Sequence, residues 1–187
     1  MSAKTDAKHF VYADEDREEL EKADETDMLT TYCDLKNIEM LSNVGKYDGV
    51  IMKEAFEKIA PTLSSVEDFF VSLYKIVKLK GKAVIISRID PTLPFPAKML
   101  EEWRATVPKM EILIKEGEEM GFKVEADDFV QDVELNASEW KAELKRRRLP
   151  FMDNISDEDI DKAVEGKGSE IKCKDTLKII CLKKSLS

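Results

Sequence analysis

Four charged residues stand where predicted β-strands end, and these positions are the best placed in the sequence to bind a ligand. Asp14, Asp34, Glu54 and Arg88 each follow an apolar run that is typical of a strand. In an α/β sheet, ligands bind in the crevice outside the carboxyl ends of the strands. A carboxylate at such an end can accept the protons of both hydroxyl groups of a ribose, and an arginine can hold an anionic group.

Each of these residues also has a purely structural interpretation. Asp14 opens an acidic run at a predicted helix start, where capping and the helix dipole would explain it. Asp34 could cap the turn after its strand. An ion pair with Asp90 or Glu101 would explain Arg88 equally well. The sequence alone leaves these alternatives open.

Composition excludes several classes of site. The chain has 187 residues, a net charge of −9 and one histidine, His9, so a histidine-based metal site or catalytic triad has no residues to use. The negative charge argues against a nucleic-acid partner, and the basic run at 145–148 is interpreted as a solvated helix face or a patch for an anionic partner. No apolar stretch is long enough for a membrane span. The cysteines Cys33, Cys173 and Cys181 are scattered, which predicts a reducing, cytoplasmic setting with Cys33 and Cys181 as small apolar strand residues.

The stretch from Tyr47 to Ile89 gives the strongest structural prediction. Tyr47–Met52 is a short apolar run, and Ser65–Leu79 has apolar residues spaced at three and four, which indicates a helix. Lys80-Gly81-Lys82 should end that helix, and Ala83–Ser87 is rich in β-branched residues, as buried strands are. Strand, helix and strand with such short connections predict a βαβ unit with a parallel pair.

The same alternation begins near the first residue. Strands are predicted at Lys8–Ala13 and Leu29–Cys33, with a helix at Arg17–Ala23 between them. A proline-rich loop, IDPTLPFP, follows the Ser87 strand and should lie over the carboxyl edge of the sheet. Further elements are predicted as helices at 97–104, 107–120, 138–148 (capped by Ser138) and 156–164, and as strands at 122–135 and 176–182. This order favours one domain, residues 1–187, with an open α/β sheet covered on both faces.

The element order resembles the class I S-adenosylmethionine-dependent methyltransferases. FVYADEDREELEKA is similar to the family's second strand and following helix, which puts Asp14 at the position that binds the cofactor ribose. TYCDL is similar to the third strand, with Asp34 at the position near the adenine amino group. YDGVIMKEAFEKI and LKGKAVIISR resemble the fourth and fifth strands, and MGFKVE and TLKIICLKK the closing pair. The resemblance implies a Rossmann-like methyltransferase sheet, mostly parallel with an antiparallel C-terminal strand, and helices on both faces.

Two departures from the family pattern stand out. The family's first strand carries a glycine-rich turn whose backbone amides approach the methionine part of the cofactor, whereas the first glycine here is Gly45. In the family's leucine-lysine-proline-glycine turn, Lys80 replaces the proline. The resemblance therefore implies a domain that is incomplete at its N-terminus and in which binding of S-adenosylmethionine is doubtful.

The tail segment SEWKAELKRRRLPFMDNISDEDIDKAV resembles one found in some small-molecule methyltransferases. In two-domain phosphoethanolamine methyltransferases one half is active and the other is degenerate, and this chain resembles such a degenerate half. The resemblance implies a degenerate, non-catalytic domain that acts as a scaffold or interaction module, beside a catalytic methyltransferase domain or a second copy. The alternatives are an active phosphoethanolamine-type N-methyltransferase whose cofactor site is completed by another segment or chain, and a nucleotide-sugar or dinucleotide binder that shares only the sheet topology.

An active enzyme of this kind would need a substrate pocket but no metal. Glu54 and Arg88 are the predicted substrate-binding residues, although Glu54 lies in KEAFEK, which also reads as a solvated helix face. Tyr47, Trp103 and Trp140 could line a cavity for a cationic group, or could anchor the packing of the core. No catalytic residue is predicted.

Overall fold

The computed structural model describes residues 11–14, 17–24, 29–33, 35–59 and 66–185. The first elements are β1 (Val11–Asp14), α1 (Arg17–Asp24) and β2 (Leu29–Tyr32), and the two strands pair in parallel. The predicted strand, helix and strand are therefore confirmed where they are described; residues 8–10 of the first predicted strand lie outside the described residues. Two 3₁₀ turns at Leu35–Asn43, kinked at Asn37, lead into the next strand.

The predicted βαβ unit is confirmed, with a correction at the end of its helix. It consists of β3 (Tyr47–Lys53), a single-turn α2 (Phe56–Ile59), α3 (Val66–Ile76) and β4 (Val77–Ser87), and β3 pairs with β4 in parallel. The helix ends at Ile76 rather than Leu79, and the strand begins at Val77 rather than Ala83.

A buried lysine accounts for the early end of α3. Lys184 Nζ donates hydrogen bonds to the carbonyl oxygens of Tyr74, at 2.6 Å, and Val77, at 3.0 Å, and it lies 3.6 Å from the centre of the Tyr74 ring. A cation is favourable at a helix C-terminus, where carbonyl groups lack helical partners. The sequence spacing around α3 contains no sign of this distant residue.

The second half of the chain contains α4 (Ala97–Thr106), α5 (Met110–Glu119), β5 (Phe122–Asn136), α6 (Ala137–Lys145), α7 (Asp157–Val164) and β6 (Glu170–Lys184). The predicted start of α5 at Val107 is wrong. Val107 is extended, with its N–H donating to the Trp103 oxygen at 2.8 Å, because a residue that precedes a proline is disfavoured in the helical region.

Of the two predicted caps of α6 and α7, the first is wrong and the second is confirmed. Asn136, not Ser138, caps α6: its side-chain oxygen accepts from the backbone N–H groups of Ser138, at 3.0 Å, and Glu139, at 3.1 Å. The predicted start of the acidic helix at Ser156 is confirmed, with a reciprocal capping box between Ser156 and Asp159.

β6 joins the two parts of the main sheet. The strand order is β3-β4-β6-β5, and β6 runs antiparallel to both of its neighbours. β1 and β2 form a separate parallel pair among the described residues. Parallel pairs, an antiparallel C-terminal strand and flanking helices confirm the predicted fold class.

The core packs α3 and α5 against one face of the sheet and extends to α4, α6 and α7 through Met99, Leu144 and Ile160. The predicted apolar stripe of α3 is buried there, including Phe70 and Leu73, which are fully excluded from solvent. Burying a side chain of this size stabilises the fold by about 1.5–3 kcal/mol. Cys33 is buried as predicted, but Cys181 is exposed, because it lies on the face of β6 that points away from this core. Within the described residues, no helix has the length and apolar character to cross a membrane.

Candidate functional site

Glu54 and Arg88, the two predicted substrate-binding residues, meet at the carboxyl ends of β3 and β4. Glu54 Oε2 lies 3.2 Å from Arg88 Nη1. The Glu54 backbone N–H donates to the Ile86 oxygen at 2.8 Å, which extends the β3–β4 pairing by one step. Glu54 has a φ of 52°, which is uncommon for a residue other than glycine and turns the chain from β3 into α2. The parallel topology therefore brings the pair together as the sequence suggested, while their role towards a substrate stays a prediction.

Arg88 is held more tightly by a residue that sequence reasoning missed. Its Nε and Nη2 atoms donate to Oδ1 and Oδ2 of Asp175, at 3.0 and 2.7 Å, in a two-pronged arrangement. Asp175 lies in β6 and is 2% exposed, and Gln131, opposite it on β5, donates to the same carboxylate at 3.3 Å. The sequence carries little signal for this pair, because Asp175 directly precedes TLKIICL in the charged segment EIKCKD.

The alternative partners considered for Arg88 are wrong. Asp90 accepts a hydrogen bond at 3.1 Å from Arg104 instead, and both of these side chains are more than half exposed. The Arg88 guanidinium is largely buried, with 17% of its side chain exposed. Burial by itself would lower the pKa of Arg88, but hydrogen bonding to Asp175 and the charge of Glu54 outweigh it, so the pKa is raised and the cation is secure.

A third carboxyl group is bound to the last residue of β4. Glu57, in α2, is 3% exposed, and its Oε2 accepts a hydrogen bond of 2.5 Å from the hydroxyl of Ser87, the last residue of β4. Burial raises the pKa of the Glu57 carboxyl, while the Ser87 hydrogen bond and the Arg88 charge oppose the rise. For Glu57, the interpretation of KEAFEK as a solvated helix face is therefore wrong.

These contacts define what the crevice can do chemically. Two carboxylates, those of Asp175 and Glu54, contact the Arg88 guanidinium through its three nitrogen atoms, while the Glu57 carboxyl is bound to Ser87. An arginine that is already paired on three sides offers an incoming anion little unsatisfied hydrogen bonding. The arrangement ties the carboxyl ends of β3 and β4 to the interior of β6.

The aromatic candidates are placed mainly as packing residues. Trp103 is 2% exposed, stacks on Phe95 at 5.7 Å between ring centres, and donates from Nε1 to the Arg88 carbonyl oxygen at 2.8 Å. Trp140 Nε1 donates to the Pro94 oxygen at 3.0 Å. Both indoles therefore hold the proline-rich loop that follows β4.

Trp140 also lines a shallow groove at the junction of β5 and α6. The groove has a volume of about 270 Å³, and its wall includes the acidic residues Glu134, Glu139 and Glu143. Tyr47, in contrast, donates from its hydroxyl to the Leu41 oxygen at 3.3 Å, which ties the start of β3 to the preceding 3₁₀ segment. Of the three aromatic candidates, Trp140 alone lines this groove, so the interpretation as a cavity wall is supported for that residue only.

The two predicted cofactor-binding residues, Asp14 and Asp34, belong to the first part of the chain. Asp14 is the last residue of β1 and stands opposite Tyr32 of β2, which agrees with its predicted place at a strand end. Asp34 lies outside the described residues, directly after Cys33. Their contacts with a ribose and an adenine stay predictions. No group of three His, Cys, Asp or Glu side chains that could hold a metal occurs in the part of the chain that the structure describes.

Comparisons with known proteins agree on the fold. No protein-family model and no curated protein matches the sequence. Among solved structures, the YcgJ protein from Bacillus subtilis superposes with a TM-score of 0.55 at 11% identity, over 96% of this chain and 83% of that one. A SAM-dependent methyltransferase from Archaeoglobus fulgidus gives 0.51 at 19% identity, over 93% of this chain and 75% of that one. The chain has the fold of the class I S-adenosylmethionine-dependent methyltransferases.

A phosphoethanolamine N-methyltransferase 2 from Haemonchus contortus is also similar. It superposes with a TM-score of 0.48 at 14% identity, over 90% of this chain and 40% of that protein. Similarity at this level does not separate that subfamily from other methyltransferases. These comparisons establish the fold and leave the activity to be argued from the site.

Proposed function

We propose that this methyltransferase-like domain does not catalyse methyl transfer by itself and acts as a scaffold or interaction module. The most direct support is the pairing of Arg88. In this topology ligands bind outside the carboxyl ends of the parallel strands. Here the ends of β3 and β4 are bridged by the chain's own ion pairs, with Arg88 bound to both Asp175 and Glu54. A ligand that needed this arginine would first have to break a buried, two-pronged pair.

The distribution of glycines gives a second line of support. A methyltransferase turn that approaches its cofactor closely needs glycine between a strand and the following helix, because a side chain would block the backbone amides. The strand-to-helix connections that the structure describes, 53–56, 87–97 and 136–137, contain no glycine, and the sequence has none at 14–17. The glycines lie instead before or within strands, in α5, or in the turn after α5.

The alternative is an active small-molecule N-methyltransferase whose cofactor site is completed by another segment or chain. One observation favours keeping it: Asp14 and Glu54 both follow parallel strands, at the positions where the resemblance implies cofactor and substrate contacts. The two proposals differ in a measurable quantity, the affinity of the isolated chain for S-adenosylmethionine.

Calorimetric titration of the chain with S-adenosylmethionine and with S-adenosylhomocysteine separates the proposals. We expect no binding with a dissociation constant below about 1 mM, equivalent to about 4 kcal/mol. Tighter binding that Asp14→Ala weakens would overturn the non-catalytic proposal and support the enzyme. Tight binding that Asp14→Ala leaves unchanged would overturn it as well and would show in addition that the ribose site is elsewhere.

A further inference from the structure

The strands of the main sheet are apolar on both sides, and the core that contains α3 and α5 lies against one of them. β4 and β6 carry the near-continuous apolar runs AVII and LKIICL. Strands of this kind are usually buried on both faces, because each face needs a layer of helices. Alternate residues, among them Ala83, Ile85 and Ile180, lie in the core, fully buried.

The residues between them form a second face, here called the open face: Ile51, Val84, Ile86, Ile179 and Cys181. The strand register places Ile51, Val84 and Cys181 in one row, and Ile86 and Ile179 in the next. Ile51 is 74% exposed and Cys181 is exposed. Among the described residues, none of the five belongs to the core or packs against it. Val84, Ile86 and Ile179 are partly buried, so the exposed apolar surface of the open face lies at Ile51 and Cys181, which no described element covers.

Charges mark the two ends of the open face. At the amino end of β4, three lysines from adjacent strands stand in one row, here called the lysine row: Lys82, Lys183 and Lys123. Lys123 pairs with Glu125 at 2.9 Å, whereas Lys82 and Lys183 have no ion-pair partner in the described part of the chain. At the opposite end stands Glu54, whose side chain is 40% exposed.

This polarity matches the dipole of one helix. A helix that runs antiparallel to β4 would place its C-terminal carbonyl groups over the lysine row and its N-terminus near the Glu54 carboxylate, and both contacts are favourable. Lys53 and Asp127 flank the open face on its β3 and β5 sides. The matching helix would therefore carry acidic residues towards β3 and basic residues towards β5.

The size of the open face fits a helix better than a second copy of the chain. From the row of Lys82 to Arg88 the face extends about 20 Å, the length of a helix of about 13 residues. Across the strands it measures about 15 Å, enough for one helix of about 10 Å diameter. The resulting area of about 300 Å² is well below the roughly 800 Å² per partner of a stable dimer.

We propose that the open face is a docking surface for one amphipathic helix of a partner protein, which lies antiparallel to β4 with an acidic C-terminal end over the lysine row. This inference names the kind of partner for the proposed interaction module, and it rests on that proposal. Its test contains no S-adenosylmethionine, so a failure here and a failure of the cofactor titration are separate results.

The test uses two designed peptides of about 14 residues, the length that the face can hold. Both form helices with one leucine stripe and have the same composition; one carries two glutamates in its last turn, and the other carries them in its first turn. Fluorescence anisotropy measures their binding to the full chain. We expect the first peptide to bind with a dissociation constant below about 100 μM and the second to bind about tenfold more weakly.

Variants of the chain locate the binding. Ile51→Asp should abolish binding of the first peptide, and Lys82→Glu should weaken it about tenfold and reduce the preference between the peptides. Ile112→Asp is the matched control, because Ile112 is an exposed apolar residue of α5, on the other side of the sheet. In addition, the first peptide should slow alkylation of the exposed Cys181 thiol, which lies within the open face.

Several results would overturn the proposal. Equal binding of the two peptides would remove the orientation argument, and unchanged alkylation of Cys181 at saturating peptide would place the binding elsewhere. If sedimentation shows that the chain alone is a dimer that Ile51→Asp converts to a monomer, the open face is covered by a second copy. A circular dichroism spectrum of Ile51→Asp equal to that of the wild type shows that a loss of binding is not a loss of folding.

Discussion

The hydroxyl of Ser87 donates a hydrogen bond of 2.5 Å to the Glu57 carboxyl, across 30 positions of sequence and in a site from which solvent is excluded. Because burial raises the pKa of Glu57, the folded protein binds a proton that the unfolded chain releases at a lower pH. The stability that this group contributes is present below the ordinary pKa of a glutamate and is lost as the pH rises through the folded value.

Replacement of Glu57 should therefore change the pH dependence of stability. In Glu57→Gln, the amide oxygen can still accept from Ser87, but the proton uptake is gone. We expect the free energy of unfolding of the variant, relative to that of the wild type, to increase as the pH rises from 4.5 to 8. The increase should be at most about 1.4 kcal/mol per pH unit. Urea unfolding at several pH values measures this. Glu101→Gln, at an exposed position of α4, is the control and should follow the wild type; parallel curves for Glu57→Gln and the wild type would contradict the prediction.

The Arg88–Asp175 pair should be worth far more than an exposed pair of the same residue types. Asp175→Asn leaves the buried guanidinium without its main partner, which we expect to lower the free energy of unfolding by about 3–5 kcal/mol. The control is Asp90→Asn, which breaks the exposed pair with Arg104 and should cost about 1 kcal/mol or less. Chemical denaturation of the two variants measures both losses of unfolding free energy. Similar losses would show that burial adds nothing to the Arg88–Asp175 pair.

A double variant tests whether the loss comes from the stranded charge. Arg88→Met with Asp175→Leu removes both charges and keeps apolar volume, so it should be less destabilised than the sum of the two single variants. Additive losses in this cycle would mean that the residues act independently and that the crevice is not closed by their pairing.

Lys80 should tolerate glycine but not the proline found in related turns. Its φ of 65° lies in the left-handed region, whereas proline is fixed near −65°. Lys80→Pro should lower the free energy of unfolding by about 3 kcal/mol or more. Lys80→Gly should raise it by up to about 1 kcal/mol, because the strain of a side chain at positive φ is relieved.

The matched control for Lys80 is Lys82→Gly, at an exposed residue in the regular part of the same strand. There the added backbone freedom should destabilise the protein by about 0.5–1 kcal/mol. Thermal unfolding measures all three variants, since 1 kcal/mol corresponds to about 2–4 °C in a protein of this size. A melting temperature of Lys80→Pro equal to that of the wild type would refute the backbone assignment.

Lys184 should be essential to the end of α3, although its neighbour in β6 is not. Lys184→Met keeps much of the side-chain volume but removes the donor to the Tyr74 and Val77 carbonyl oxygens. We expect a loss of about 2 kcal/mol or more, because carbonyl groups that lose a charged donor stay unsatisfied. Lys183→Met, at an exposed position, should change stability by less than about 0.5 kcal/mol. Hydrogen exchange of α3 amides should accelerate only in the first variant.

The sequence allowed the βαβ unit to be predicted because its signals are local. The apolar spacing in α3 and the β-branched run in β4 identify both elements, and their parallel pairing brings Glu54 to Arg88. The boundaries were less predictable, because they depend on residues far away in sequence: α3 ends where Lys184 reaches it. Val107, whose extended conformation follows from Pro108, is a miss that local reasoning could have avoided.

The rest of the site depends on long-range register. Asp175 reaches Arg88 only because β6 pairs with β4 from Lys178 opposite Ser87 onward, and no short-range pattern fixes that alignment. Glu57 looked like a residue of a solvated helix, but α2 has one turn and packs directly against the end of β4. Charge type and spacing can thus nominate residues at strand ends, whereas the partners that neutralise them come from tertiary structure.

The position of β6 between β4 and β5 has a consequence for how the protein is made. Of the four strands in this sheet it is the last to leave the ribosome, yet it joins β5 to the β3–β4 pair. During synthesis the βαβ unit and β5 must wait, with the edge of β4 that later pairs with β6 left free, until residues 170–184 emerge. Such exposed edges invite association with other chains, so the nascent protein should depend on chaperones most in the interval just before β6 is released.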